Sequence, residues 1–329
     1  MSDDIQPSRI AVVGAGRMGR GISLSFAFSG FPIHLVDSEE RSPEAFTELA
    51  ESIEQEIATE LGFMQRLQIV SPEQAQNIAD RIAIIARPAA ANILGQTDFV
   101  FEAVAEVLDI KQATYTWLNT VVADKAIIGS TTSTMLVDTL AEFVEHNNRF
   151  LVTHWLNPAL LMPLVEMSPG GNSSEDATAS MQALLESIGK QPVICAASPG
   201  FIVPRIQALA MAEAARCVEE GVASAEDVDK AVRIGFGVRY AVLGLLEFID
   251  WGGGDILYYA TQYLAGSLDD KRFSVPEIIE SNMRENRNGI RDGQGFYDYR
   301  DRDVEAYRQE RMGDFVKLLQ HLSLLPEAR

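Results

Sequence analysis

Apolar residues run along this chain in two rhythms. Short, nearly unbroken runs occur at Arg9 to Val13, Pro32 to Asp37, Arg81 to Ala86, Asp98 to Ala103, Ala126 to Ser130 and Phe150 to Trp155. Their length suits strands buried on both faces. Between them apolar residues recur at helical spacing, as in Met18 to Phe28 and Glu106 to Val122. Two further runs, Pro163 to Met167 and Pro192 to Ala196, flank a helical pattern from Ser174 to Ile188. Strand alternating with helix predicts an α/β, doubly wound sheet whose parallel strands are joined by right-handed crossovers.

After Ser198-Pro199-Gly200 the pattern becomes almost wholly helical: Phe201 to Val222, Ala225 to Ile234, a longer apolar stretch from Ala241 to Leu264, and Ser274 to Asn286. Ser224 followed by Glu226 marks a helix start, and Val304 to Leu325 is an amphipathic helix suited to packing on its own domain or on a partner subunit. The boundary falls near residues 196 to 200, giving a first domain of residues 1–197 and an all-α second domain of residues 198–329.

Composition narrows the function. The 329 residues are 47% hydrophobic and 22% charged, which excludes a disordered or fibrous chain. Against 47 acidic residues stand 27 basic ones, a net charge of −20 that opposes binding to nucleic acid or an anionic membrane. The segment Met1 to Arg9 is polar, and no apolar run approaches a membrane span, so a cytoplasmic protein is expected. Cys195 and Cys217 are too few for a disulfide framework and read as buried core residues in a reduced compartment. No cluster of His, Cys and carboxylates has metal-ligand spacing, so no metal is expected.

Gly14-Ala15-Gly16-Arg17-Met18-Gly19 follows the first strand and opens a helix. Gly14 permits a tight turn, Gly16 lets the backbone approach a pyrophosphate, Gly19 lets the helix press on the strand, and Met18 opens the helix beside them. Asp37 ends the second strand, where a carboxylate accepts hydrogen bonds from ribose hydroxyls and repels a 2′-phosphate. With Glu39 and Glu40 beside it and only Arg41 to offset them, the pattern selects NAD over NADP. In this context it predicts a Rossmann-type domain; a glycine turn without a ligand is the alternative.

Of four histidines, His34, His146 and His321 suit structural or solvated positions. His154 ends a strand, where open α/β sheets place their sites, and Glu166 lies near the end of the next. An imidazole takes the proton of an alcohol as hydride leaves, and a carboxylate on its other nitrogen holds the tautomer. Ser133, after another strand, is placed to hydrogen-bond the reacting oxygen. A buried histidine with an unrelated glutamate is the competing reading.

Taken together, these segments resemble the L-3-hydroxyacyl-CoA dehydrogenases, including 3-hydroxybutyryl-CoA dehydrogenase. The resemblance rests on the glycine loop, Glu102-Ala103-Val104-Ala105-Glu106, Ser130 to Thr134, His154-Trp155-Leu156-Asn157-Pro158, Leu164-Val165-Glu166, Pro199 to Val203 and Gly293 to Tyr299. It implies His154 as general base, Glu166 as its partner, Ser133 on the substrate oxygen, and Glu106, Lys111, Ser133 and Asn157 near the nicotinamide and its ribose. It also implies a helical C-terminal domain that makes a homodimer.

Two departures bear on the substrate. Where the family usually has an asparagine after Pro-Gly-Phe-Ile-Val, this chain has Pro204, which offers no side-chain donor and no N–H. Gly237-Val238-Arg239-Tyr240-Ala241 is closer to relatives acting on small free acids, the L-gulonate and L-carnitine dehydrogenases and λ-crystallin. There Arg239 is either a carboxylate clamp or a surface arginine paired with an acidic neighbour. The excursion Ser38 to Gly62 carries eight glutamates and only Arg41 as a base, which disfavours coenzyme A phosphates. A 3-hydroxyacyl-CoA is the expected substrate, with a small free 3-hydroxy acid as the alternative. A β-hydroxyacid dehydrogenase with a catalytic lysine would need a lysine in Phe201 to Val222, which has none, and a non-catalytic crystallin-like protein would not need the His154 and Glu166 pair.

Overall fold

The computed structural model describes residues 9–268 and 271–326, so most of the polar Met1 to Arg9 segment lies outside the described residues. The chain forms two compact units, Met1–Ala210 and Met211–Arg329.

In the first unit the eight apolar runs become one sheet. Its strands are β1 (Ile10–Val13), β2 (Ile33–Val36), β3 (Ile82–Ile85), β4 (Phe99–Glu102), β5 (Ile127–Ser130), β6 (Phe150–Trp155), β7 (Leu164–Pro169) and β8 (Gln191–Ile194). Their order is β3-β2-β1-β4-β5-β6-β7-β8. All neighbours run parallel except β6 and β7, which are antiparallel and therefore need only a short connection. Flanking them are α1 (Arg17–Phe28), α2 (Pro43–Arg66), α3 (Pro72–Ala79), α4 (Ala91–Leu94), α5 (Leu108–Val121), α6 (Val137–Ala141) and α7 (Glu175–Ser187).

Burial on both faces explains the unbroken apolar runs. Ile10, Val12 and Phe101 pack in one core with Phe26 and Trp155, while Ala11, Val13 and Val100 pack in a second with Tyr115 and Phe150. Successive residues point to opposite faces, so a strand covered by helices on both sides has no polar position to alternate. Register then levels the strand ends: Val13 pairs with Val36 and Glu102, and Glu102 pairs with Ser130. Residues just after them, including Gly14 and Asp37, open at one edge of the sheet, where β1 meets β4 and the strand order reverses.

The acidic excursion is the long helix α2. Ser42 caps it by accepting from Ala45 N, Pro43 occupies its first turn, and Ile53, Ile57, Leu61 and Met64 form its buried stripe. Its glutamates occupy the solvated side.

The helix α8 (Val203–Glu219) begins in the first unit and ends in the second. Pro204, its second residue, sits in the first turn, where no intrahelical N–H is required. The second unit continues with α9 (Ala225–Ala231), capped by Ser224, a π-helical turn over Val232–Gly237, and α10 (Val238–Tyr240). The apolar stretch expected to run from Ala241 to Leu264 is broken. It forms α11 (Leu245–Gly252) and α12 (Gly254–Leu268), separated by Gly253 at φ +110°, which a residue with a side chain rarely adopts. Next come α13 (Glu277–Arg284) and α14 (Val304–His321). Asp250, buried at the end of α11, accepts from Phe296 N and Tyr297 N, both at 2.9 Å, and so ties down the Gly293 to Tyr299 segment. A Cβ at Gly295 would lie 2.1 Å from Asp250 Oδ1, which accounts for glycine there.

The two cysteines differ from the expectation drawn from sequence. Cys195 and Cys217 are free and only half-buried rather than enclosed, although Cys195 packs against the second core. Among the described residues no helix is long and apolar enough to cross a membrane, and none form a metal-binding cluster.

Candidate active site

The glycine loop is shaped by close approach. Gly14 has φ +111°, and a Cβ there would sit 2.6 Å from the Ala103 carbonyl. A Cβ at Gly19 would meet Gly14 O at 1.8 Å, so only glycine lets α1 press on the turn. Gly16 faces open space and begins α1 with no side-chain cap, leaving the first N–H groups of the helix for an anion. Met18 is half-buried and packs against the core below the loop.

Asp37 follows β2 and is 3% exposed. Its Oδ1 accepts from Glu39 N at 3.1 Å and its Oδ2 from Arg41 Nε at 2.8 Å. Arg41 also reaches Glu39 at 2.9 Å, so its charge is held between two carboxylates. A cleft of about 560 Å³ runs from Gly14 and Gly16 past Asp37 and Arg41 to Ala103 and Thr114.

Further along the same edge, His154 and Glu166 are direct partners across β6 and β7. Both are buried, and His154 Nδ1 lies 2.7 Å from Glu166 Oε2. The other carboxylate oxygen, Oε1, accepts from Ile202 N at 2.9 Å and Val203 N at 2.8 Å, at the start of α8. A carboxylate only accepts, so Nδ1 carries the shared proton and the lone pair is left on Nε2. Phe201 stacks on the imidazole with centroids 5.5 Å apart, closing one face of the ring.

Ser133 belongs to a turn organised by Glu106. Glu106 Oε1 accepts from Ser133 N at 3.0 Å, Thr134 N at 3.1 Å, Thr134 Oγ1 at 3.0 Å and Thr132 Oγ1. Partial burial by itself would raise the pKa of this carboxyl, but the Thr132 bond, the nearby Lys111 charge and the bonds from the turn together pull it below the ordinary range. Lys111, expected beside the nicotinamide ribose, has no exposed surface; its Nζ lies 2.9 Å from both oxygens of Glu102 and 3.6 Å from Glu106 Oε2. Asn157 is exposed two residues after the end of β6. In the second unit Arg239 is exposed and lies over the Phe248 ring, 4.6 Å from its centroid.

Three contributors escaped sequence reasoning: Glu102 as a buried acceptor, the Ile202 and Val203 amides, and Phe201 against His154. Glu102 carried one usable signal, a carboxylate at the end of an otherwise apolar strand. The other two depend on where α8 begins.

Comparison with known proteins identifies the family. Residues 9–198 match the family model of the 3-hydroxyacyl-CoA dehydrogenase NAD binding domain, and residues 200–299 match that of its C-terminal domain. The chain belongs to the 3-hydroxyacyl-CoA dehydrogenase family. As a member it is an NAD-dependent oxidoreductase, and its glycine loop, uncapped α1 and Asp37 fit that cofactor. Pig (Sus scrofa) mitochondrial hydroxyacyl-coenzyme A dehydrogenase is 29% identical over 298 residues, covering 88% of this chain and 91% of that protein. The crystal structure of a 3-hydroxyacyl-CoA dehydrogenase from Archaeoglobus fulgidus superposes with a TM-score of 0.74 at 31% identity, covering 96% of this chain and 99% of that one. The 5-formyl-3-hydroxy-2-methylpyridine 4-carboxylate 5-dehydrogenase of Mesorhizobium japonicum is 26% identical over 309 residues, 93% of this chain and 96% of its own.

Proposed function

We propose that this dehydrogenase interconverts a 3-hydroxyacyl-CoA and its 3-keto product, with His154 as general base, Glu166 as its orienting partner and Ser133 on the substrate oxygen. The observation that carries the reading is the 2.7 Å contact between His154 Nδ1 and Glu166 Oε2. NAD, when bound, would supply the acceptor for the hydride leaving the carbinol carbon. His154 Nε2 takes the hydroxyl proton, and Glu166 stabilises the resulting imidazolium through Nδ1–H. The Ile202 and Val203 amides keep the carboxylate from turning away from the ring. The backbone of Gly14 to Gly19 would hold the pyrophosphate and Asp37 the adenosine ribose, with Met18 beneath them, while Glu106 and Asn157 would border the nicotinamide end.

A second reading is a small free 3-hydroxy acid. It is favoured by the solvated glutamates of α2, by the exposed Arg239, and by a relative named for a pyridine carboxylate substrate. In it Arg239 binds the substrate carboxylate. The deciding experiment is a panel of 3-hydroxybutyryl-CoA, longer 3-hydroxyacyl-CoAs, L-gulonate, L-carnitine and 3-hydroxybutyrate, followed by NADH absorbance. Oxidation of free acids alone replaces the first reading with the second.

The protein is further proposed to be a homodimer assembled through its helical unit. On α12, Ile256, Tyr259 and Tyr263 share one face at helical spacing and are 62%, 62% and 73% exposed, an apolar stripe suited to a second copy. Two unpaired cysteines accord with a reducing, cytoplasmic location.

A further inference from the structure

Glu102 lies at the end of β4 with no surface exposed. Four groups donate to its carboxylate: Val104 N at 2.9 Å, Lys111 Nζ at 2.9 Å to each oxygen, Ser130 Oγ at 2.7 Å and Tyr115 OH. Lys111 and Tyr115 stand one turn apart on α5, and Ser130 ends the neighbouring strand β5. The cluster therefore joins β4, α5 and β5 directly beneath the Thr132 to Thr134 turn.

Stability alone is a poor reason for such a cluster. Two charges taken out of water are often matched or bettered by an apolar pair of the same volume. What an apolar pair could not do is reach Glu106. Lys111 Nζ lies 3.6 Å from Glu106 Oε2, while Glu106 Oε1 gathers the donors of Thr132, Ser133 and Thr134. Glu106 itself precedes α5 in an exposed segment outside regular structure, so its orientation depends on these two contacts.

We propose that Glu102 and Lys111 are positioning residues for the dehydrogenase reaction, a buried ion pair that holds Glu106 and, through Glu106, the turn that carries Ser133. Lys111 has no exposed surface, and its ionic contacts are with Glu102 and Glu106. The inference rests on the dehydrogenase reading above, in which Ser133 meets the substrate oxygen.

The test is a cycle between Glu102→Gln/Lys111→Met, which removes both charges at similar volume, and Glu106→Ala. Thermal midpoint, kcat, KM and the Kd for NADH from fluorescence titration are measured for each. The pair replacement should leave the midpoint within a few degrees of wild type while lowering kcat by at least about 10-fold. In the Glu106→Ala background the same replacement should change kcat and the NADH Kd by less than about 2-fold, because the path it acts through is already gone. Unchanged kinetics in a folded pair variant overturns the proposal, and so does an equal loss in both backgrounds. Should the pair variant fail to fold, Tyr115→Phe/Ser130→Ala, which loosens Glu102 without removing a charge, replaces it in the same cycle, and the same two results would overturn the proposal. Failure of the underlying function is visible separately, as a wild-type protein that does not bind NADH or oxidise any hydroxyacyl substrate.

Discussion

His154 and Glu166 face each other across the antiparallel strands β6 and β7, with Nδ1 2.7 Å from Oε2, while two backbone amides hold the far oxygen of the carboxylate. Replacing His154 with Gln removes the proton acceptor and should lower kcat by at least about 10²-fold with little change in NADH binding. Glu166→Gln should lower kcat by about 10² to 10⁴-fold, because an amide directed at the ring favours the tautomer with Nε2 protonated. Steady-state kinetics beside an NADH titration check both. Full turnover in either variant would refute the assignment.

Asp37 holds Arg41 as well as a site for ribose, so its removal has two effects. Asp37→Ser should weaken NADH binding by at least about 10-fold through the lost charged acceptor. It should also tighten NADPH, because the Arg41 guanidinium, then opposed by Glu39 alone, can meet the 2′-phosphate. Adding Arg41→Ala should abolish the NADPH gain. Fluorescence titration of the two variants with both nucleotides tests this, and a gain that survives without Arg41 would show that the arginine is not responsible.

Asp98 sits at the head of β4 against Arg9, at 3.2 Å, and Lys125, at 3.1 Å. Burial alone would raise its carboxyl, but the hydrogen bonds and charge of Arg9, with Lys125, hold it down at about 2. The folded form therefore keeps this proton off more strongly than the unfolded chain does. The associated stability is present above the ordinary value near 3.8 and is lost as pH falls toward about 2. Thermal midpoints measured from pH 5 to 2 should fall less steeply for Asp98→Asn than for wild type; parallel curves would contradict the linkage.

Lys190 is 5% exposed and donates to the carbonyls of Ala159 at 2.6 Å, Leu160 at 3.2 Å and Met162 at 2.9 Å. These carbonyls belong to the connection between the strands of His154 and Glu166. Lys190→Met leaves them unpaired and should cost about 2–4 kcal/mol in urea unfolding. A loss below about 0.5 kcal/mol would mean water satisfies them equally well.

The strands, the glycine loop, Asp37 and the helical character after Gly200 were legible in the sequence because each is written in local spacing. A residue's neighbours one, two or four positions away decide whether it forms a strand, a turn or a helix face. The break of the long apolar stretch was not legible, because Gly253 reads as one glycine among several until its φ is known. Long-range relations were equally closed to inspection. The sequence marked His154 and Glu166 as candidates, but only the antiparallel pairing of β6 with β7 put them opposite each other. Had β7 run parallel, or slipped by one residue, the carboxylate would have faced elsewhere. The same holds for Glu102, Lys111, Tyr115 and Ser130, which come together only because β4 pairs with β5 and α5 packs behind them. Periodicity records which side of an element is buried; register and packing decide what it is buried against.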